Sequence, residues 1–209
     1  MKKYDVYLFD FDGTLVDSIK SLEDIFILSF RDIGVKVKEE DCLQYTRQPL
    51  EMTYKELHAP MDKVDYFVER IRYYLDDKEV LKKTEIYDET IPFLNYLKEH
   101  NIEFGIVTSN NKNHVVDVLN LFNIDPDFFT IIVDSDDEPE TKPSPKPLQY
   151  AFKHIKDADK KKIAYVGDAL NDMISANRAG IDAILIDRVG AFKEADNYVK
   201  IRSLFDLVK

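Results

Sequence analysis

The sequence predicts an α/β protein built on a doubly wound parallel sheet and interrupted after its first strand by an α-helical insert. Three observations carry this expectation. First, strand-length runs rich in Val, Ile and Phe occur at 6–9, 104–107, 131–133, 163–166 and 183–186, each apolar on successive residues. Unbroken apolar runs fit strands buried on both faces, as in a parallel sheet, whereas half-exposed strands alternate. Second, helical stripes separate the last four runs. They are Val115, Val118, Leu119 and Phe122, then Leu148, Ala151, Phe152 and Ile155, then a short helix over 171–179. Strand–helix alternation of this kind reads as a doubly wound sheet. Third, about 90 residues lie between the first run and the second, and they hold helical spacings but no convincing strand.

Within that gap, Leu22, Phe26, Phe30 and Ile33 mark one helix, and Val64, Phe67, Ile71 and Tyr74 another, with Pro49 and Pro60 as breaks. The aromatic members of these stripes are expected to pack a core. A return helix runs through Ile91, Leu94 and Leu97 before the second strand. The expected division is therefore a core domain of residues 1–15 and 84–209 and a helical domain of residues 16–83.

Composition narrows the function. At 209 residues and 44% hydrophobic, the chain can bury a substantial core. A net charge of −11 disfavours binding to phosphodiester backbones and to anionic membrane surfaces, but not a small anionic substrate held in a local field. Cys42 is the single cysteine, which leaves no intramolecular disulfide and no cysteine-based zinc site; a small, buried apolar side chain is expected there. The start, Met1-Lys2-Lys3-Tyr4-Asp5, has neither an apolar core nor a small-residue cleavage site. The expectation is a cytoplasmic protein without a membrane segment. Nothing in the pattern specifies an oligomeric state.

The functional signal lies at the strand ends. In open α/β sheets, ligands bind at the carboxyl edge, and polar residues follow the apolar runs there. The first strand leads into Asp10-Phe11-Asp12-Gly13-Thr14, the second into Thr108-Ser109-Asn110, the third into Asp134 and the fourth into Gly167-Asp168. A parallel sheet makes neighbours of Asp10, Asp12, Asp134 and Asp168. They either cap four separate helix starts or share a cation. For an all-oxygen set that cation is Mg²⁺ rather than Zn²⁺.

In extended backbone Asp10 and Asp12 point the same way while Phe11 turns into the core, and Gly13 permits a sharp turn. One carboxylate able to attack and one able to shuttle a proton suit acyl-phosphate chemistry. Asp172, four residues after Asp168, either faces the cation or orients its waters. Thr108, Ser109 and Asn110 precede a helix, where hydroxyls and free N–H groups hold phosphate oxygens or merely cap. In Lys142-Pro143-Ser144-Pro145-Lys146-Pro147, the stiff backbone either holds one ammonium near the carboxylates or exposes a solvated lysine. Arg47, in Tyr45-Thr46-Arg47, either pairs with a substrate anion or lies on the surface. Tyr45 and Tyr54 are expected on the cleft side of the insert. His58, His100, His114 and His154 form no metal-binding spacing and are expected at the surface or in satisfied positions.

Taken together, these segments resemble the haloacid dehalogenase-like hydrolase superfamily. Its first motif is matched by Asp10-Phe-Asp-Gly-Thr-Leu-Val-Asp-Ser18, its second by Val107-Thr-Ser-Asn110, its third by Lys142-Pro-Ser-Pro-Lys-Pro147 and its fourth by Val166-Gly-Asp-Ala-Leu-Asn-Asp172. The motifs occur in the family's order. The insert resembles the helical cap of the subclass that includes phosphoglycolate phosphatases.

The resemblance implies a Rossmann-like core with a cap domain, and a Mg²⁺-dependent phosphatase for a small phosphorylated metabolite. It implies that Asp10 becomes an aspartyl-phosphate, and that Asp12 protonates the leaving alcohol and then activates water. Thr108 and Lys142 bind the phosphoryl group in this reading. Asp10, the Asp12 backbone carbonyl and Asp168 bind Mg²⁺, with Asp172 in support. An acid at Asp12 favours phosphoester cleavage over carbon–halogen cleavage, because an alkoxide needs a proton and a halide does not. A phosphomutase of the β-phosphoglucomutase type and an inorganic pyrophosphatase share this chemistry. A phospho-accepting signalling module also gathers aspartates and a lysine, but lacks the insert and needs no Asp12. The usual Tyr-Pro-Gly return from the cap is replaced by Ile86-Tyr87-Asp88-Glu89-Thr90.

Overall fold

The computed structural model describes residues 2–47, 50–155, 159–192 and 197–209, with side chains for all of these except 43, 44, 46, 47, 50 and 51. The chain opens with β1 (Val6–Phe9), every residue of which is buried. Two-residue strands, β2 (Val16–Asp17) and β3 (Glu85–Ile86), pair with one another where the chain leaves for the insert and returns from it. Then follow β4 (Glu103–Val107), β5 (Ile131–Val133), β6 (Ile163–Gly167), β7 (Asp182–Ile186) and β8 (Val199–Ile201). Six of these strands form one sheet in the order β5-β4-β1-β6-β7-β8. Each neighbouring pair is parallel.

From β1 the chain winds outward through β4 to β5, then restarts on the other side with β6 and continues to β8. This is the doubly wound order, and its switch point lies between β1 and β6. The five strands expected from apolar runs are all present. The sixth, β8, carries Lys200 between two β-branched residues at the sheet edge, too short and too polar to stand out in the sequence.

The chain divides into two compact units: Met1–Val16 with Ile86–Lys209, and Asp17–Glu85. The second unit is helical, made of α1 (Ile19–Asp32), α2 (Glu39–Arg47), α3 (Leu50–Glu56), α4 (Val64–Leu75) and α5 (Lys78–Leu81). Its core is an aromatic cluster: the Phe30 and Phe67 rings lie 4.3 Å apart, and the Tyr54 ring lies 5.6 Å from the first and 5.2 Å from the second. Tyr54 is thus a core residue, which corrects its expected place on a cleft, since its ring is buried more favourably between two phenylalanines. At the rim of the cluster Arg70 Nε and Tyr74 Oη both donate to Asp32 Oδ2, at 2.7 and 2.8 Å. Cys42 is fully buried, its Sγ donates to the Glu23 carbonyl at 3.4 Å, and burial pushes its thiol up to about 12.

In the first unit α6 (Thr90–Glu99), α7 (Lys112–Leu121), α8 (Lys146–His154) and α9 (Leu170–Ala179) connect the strands. Leu148, Ala151, Ala176 and Ala179 bury the small faces of α8 and α9 with Tyr165 and Val133 of the sheet. Among the described residues no helix is long and apolar enough to cross a membrane. Removing the Phe67 ring leaves a cavity between Phe26, Phe30 and Tyr54, so Phe67→Ala is expected to destabilise the helical unit by about 3–5 kcal/mol in denaturant unfolding. A loss below about 1 kcal/mol would show that this cluster is not what holds the unit together.

Candidate active site

The carboxyl end of β1 turns sharply. Gly13 has φ +76° and donates its N–H to the Val16 carbonyl at 2.8 Å, while the N–H groups of Leu15 and Val16 return to the Phe11 carbonyl. Phe11 is fully buried, so the backbone between Asp10 and Asp12 is pinned. The far side of the loop is held by the start of α6 and by the segment that follows β7. Thr90 Oγ1 donates to the Leu15 carbonyl at 2.7 Å, and Arg188 Nη2 to the Thr14 carbonyl at 2.8 Å. Arg188 in turn pairs with Glu89, whose carboxylate also accepts from Ser203 Oγ and the Leu204 N–H. The unusual return segment at 86–90 therefore braces the loop that carries both aspartates.

Asp10 is buried and faces Lys142. The Lys142 ammonium donates to Asp10 Oδ1 at 2.5 Å, to Asp172 Oδ1 at 2.6 Å and to Tyr165 Oη at 3.0 Å. Tyr165 spends its own hydrogen on the Val107 carbonyl, 2.7 Å away, and so can only accept from the lysine. Three ammonium hydrogens meet three oxygens. Of the two lysines in the Pro-rich segment, Lys142 enters the site and Lys146 pairs with Glu140 at the surface. The segment is fixed from α9, where Ser175 Oγ donates to the Ser144 carbonyl at 2.7 Å and Arg178 Nη1 to that of Pro143 at 3.1 Å.

Asp10, Asp168 and Asp172 each offer an oxygen within 4.8 Å of the others. Asp172 is also fixed by the Ala169 N–H, which donates to its Oδ2 at 3.0 Å. Two glycines make room. A Cβ on Gly13 would stand 2.3 Å from Asp168 Oδ2, and one on Gly167 would stand 2.4 Å from the Asp172 carboxylate carbon. An all-oxygen set of this spacing fits a hard divalent cation such as Mg²⁺.

Burial holds the Asp10 carboxyl well above the usual range; Lys142 opposes this, while Asp172 and Asp168 add repulsion. For Lys142, burial favours the neutral amine, but Asp10 and Asp172 outweigh it and hold the ammonium well above its ordinary value. Three clustered carboxylates, two of them against one ammonium, are short of positive charge, a deficit a divalent cation would make good.

The other expected residues take different partners. The Asp12 carboxylate accepts from Asn110 Nδ2 at 2.5 Å on Oδ2, and His114 Nε2 lies 3.3 Å from its Oδ1. Asp10 and Asp12 thus face two sets of partners and not one common cluster. Thr108 is buried, and its Oγ1 accepts the Asn110 N–H at 3.2 Å; Ser109 is exposed. Asp134 departs from the rim of aspartates expected at the strand ends, because its Oδ1 is taken by the N–H groups of Asp136 and Asp137 in its own turn. The side chain of Arg47 lies outside those described.

Two residues of the site were not singled out in the sequence. Tyr165 sits inside an apolar strand run, where a buried hydroxyl needs partners. His114 is fully buried, although histidines were expected in bland positions. Its signal was present: position 114 lies on the apolar stripe of α7, one turn before Val118 and four residues after Asn110.

The chain matches the family described as haloacid dehalogenase-like hydrolase over residues 7–186, and it belongs to that family. It is 29% identical over 182 residues to the pyrophosphatase PpaX of Oceanobacillus iheyensis, covering 86% of this chain and 81% of the relative. It is 30% identical over 181 residues to the phosphoglycolate phosphatase of Neisseria meningitidis, covering 82% and 75%. The solved structure of a haloacid dehalogenase-like family hydrolase from Streptococcus pneumoniae superposes with a TM-score of 0.80 at 23% identity, covering 97% of this chain and 96% of that one.

The raised Asp10 carboxyl has a measurable consequence. The metal-free folded chain holds a proton that the unfolded chain releases at the ordinary aspartate value, about 3.9. That stabilising contribution is complete below this value and is lost as pH rises through the higher folded-state value. In the presence of a chelator, unfolding stability of the wild type should fall as pH is raised above about 4 more steeply than that of Asp10→Asn. Equal slopes in the two proteins would contradict the assignment.

Proposed function

We propose that this chain is a Mg²⁺-dependent phosphatase that hydrolyses a small phosphomonoester, of the phosphoglycolate kind, through an aspartyl-phosphate at Asp10. The observation that carries the reading is the buried Asp10 carboxylate held by Lys142 within a cluster completed by Asp168 and Asp172. The metal would be held by Asp10, Asp168 and the Asp12 backbone carbonyl, with Asp172 supporting; bound there, it supplies positive charge against the carboxylates and the transferring phosphoryl oxygens.

The chain's own residues then divide the work. An Asp10 oxygen attacks phosphorus as the ester P–O bond breaks, and Asp12 gives its proton to the departing alkoxide. Asp12, now a carboxylate, takes a proton from water as that water attacks the acyl-phosphate, releasing inorganic phosphate and restoring Asp10. Lys142 binds the phosphoryl oxygens. Thr108, Ser109 and Asn110, just before α7, bind them from the other side. Arg47 is proposed to pair with a second anionic group of the substrate. The cytoplasm is the proposed setting, since charged phosphate esters do not cross membranes unaided.

A pyrophosphatase is the second reading, favoured by the relatives of that name. A panel of phosphorylated metabolites that includes 2-phosphoglycolate and inorganic pyrophosphate, assayed for phosphate release with Mg²⁺, separates the two. Turnover of monoesters, abolished by EDTA and restored by Mg²⁺, is expected. Turnover of pyrophosphate alone would move the assignment to pyrophosphatase. A phosphoprotein that persists for minutes without turnover would overturn the enzyme reading in favour of a signalling module. Asp10→Asn is expected to reduce phosphate release to background while leaving the fold intact, as judged by a cooperative unfolding transition; full activity in that variant would refute the nucleophile assignment.

A further inference from the structure

His114 is a polar residue in a place built for an apolar one. It is fully buried, on the same stripe of α7 as Val115 and Val118, where a leucine would pack without the cost of desolvating an imidazole. Its position is determined on two sides. The helix start is fixed by Asn111, whose Oδ1 accepts the His114 N–H at 2.8 Å. The ring stands edge-on to Phe11, with centroids 6.3 Å apart and planes at 90°. Held in this way, its Nε2 reaches Asp12 Oδ1 at 3.3 Å, while Asn110 Nδ2 reaches the other oxygen at 2.5 Å. When Asp12 is a carboxylate it can only accept, so in that state the ring hydrogen that faces it is the one on Nε2.

We infer that His114 is a positioning residue for the Asp12 carboxyl group. The inference rests on the reading of Asp12 as the proton donor to the leaving group. Rotation of a carboxyl about its last bond is broad and roughly two-fold, so a single hydrogen bond leaves the group free to swing. Two donors on its two oxygens define its plane. A general acid acts only within hydrogen-bond reach and in line with the atom it protonates, and a fixed plane secures that alignment. Phe11 joins the two halves of the site, since its buried ring both separates Asp10 from Asp12 and sets the angle of His114.

The test compares leaving groups. His114→Phe keeps a ring against Phe11 and removes the Nε2 hydrogen. On 2-phosphoglycolate, or another alkyl phosphate that the wild type hydrolyses, kcat should fall about tenfold to a hundredfold, a part of the roughly 10²–10⁴-fold that a general acid supplies, with KM changed less than about twofold. On p-nitrophenyl phosphate, whose leaving group needs little protonation, the loss should stay below about threefold. His114→Gln, whose amide can donate to Asp12, should restore most of the alkyl-phosphate rate. His114→Leu makes the same removal if the phenylalanine variant does not fold, as judged by its unfolding midpoint.

Asp12→Asn runs alongside. If it shows the leaving-group dependence and a folded His114→Phe or His114→Leu does not, the positioning role falls and the Asp12 reading stands. If neither shows it, the acid assignment of Asp12 fails and takes this inference with it.

Discussion

The site depends on keeping one ammonium dry and fully engaged. Lys142 is surrounded by Asp10, Asp172 and Tyr165, which take its three hydrogens at 2.5, 2.6 and 3.0 Å. A charge buried at this depth is tolerable only when it is paired and hydrogen-bonded, and losing one partner leaves the other charge stranded. The arrangement is therefore stiff: moving any member exposes the rest to that cost. It is also unbalanced. Asp168 joins the same oxygen cluster, so negative charge exceeds positive. This imbalance suits the cluster to a divalent cation.

The fold makes that arrangement affordable by drawing its parts from separate elements already fixed for other reasons. Parallel pairing sends the carboxyl ends of β1 and β6 to the same edge of the sheet, at the point where the winding reverses. Buried Phe11 pins the chain between the two aspartates. Thr90 and Arg188 hold the carbonyls of Leu15 and Thr14 just beyond. On the opposite side Ser175 and Arg178 anchor the Pro-rich segment that carries Lys142. Gly13 and Gly167 supply the space in which Asp168 and Asp172 sit, space that a single methyl group would fill.

Much of this was legible in the sequence, and what was not has identifiable causes. Continuous apolar runs located β1, β4, β5, β6 and β7 because strands buried on both faces cannot alternate. β8 escaped because Lys200 breaks its three residues at an exposed edge. Strand ends grouped Asp10 and Asp168 together with Asp12 and Asp134, and helical spacing added Asp172 as facing the cation or orienting its waters; the cluster keeps Asp10, Asp168 and Asp172. Asp134 obeys the same strand-end rule, yet the backbone N–H groups of its own turn take its carboxylate, a local competition that spacing does not reveal. Tyr54 was misjudged because helical spacing does not say which aromatic ring meets which. His114 and Tyr165 act through contacts 102 and 23 residues distant in sequence, so their partners became visible only with the fold.

Covalent chemistry at Asp10 is tested most directly by beryllofluoride, a tetrahedral mimic of a phosphoryl group. A crystal structure of the protein with beryllofluoride and magnesium is predicted to show beryllium bonded to an Asp10 carboxylate oxygen, with Lys142 against the fluorides. Beryllium bonded to any other side chain, with Asp10 left unmodified, would contradict it.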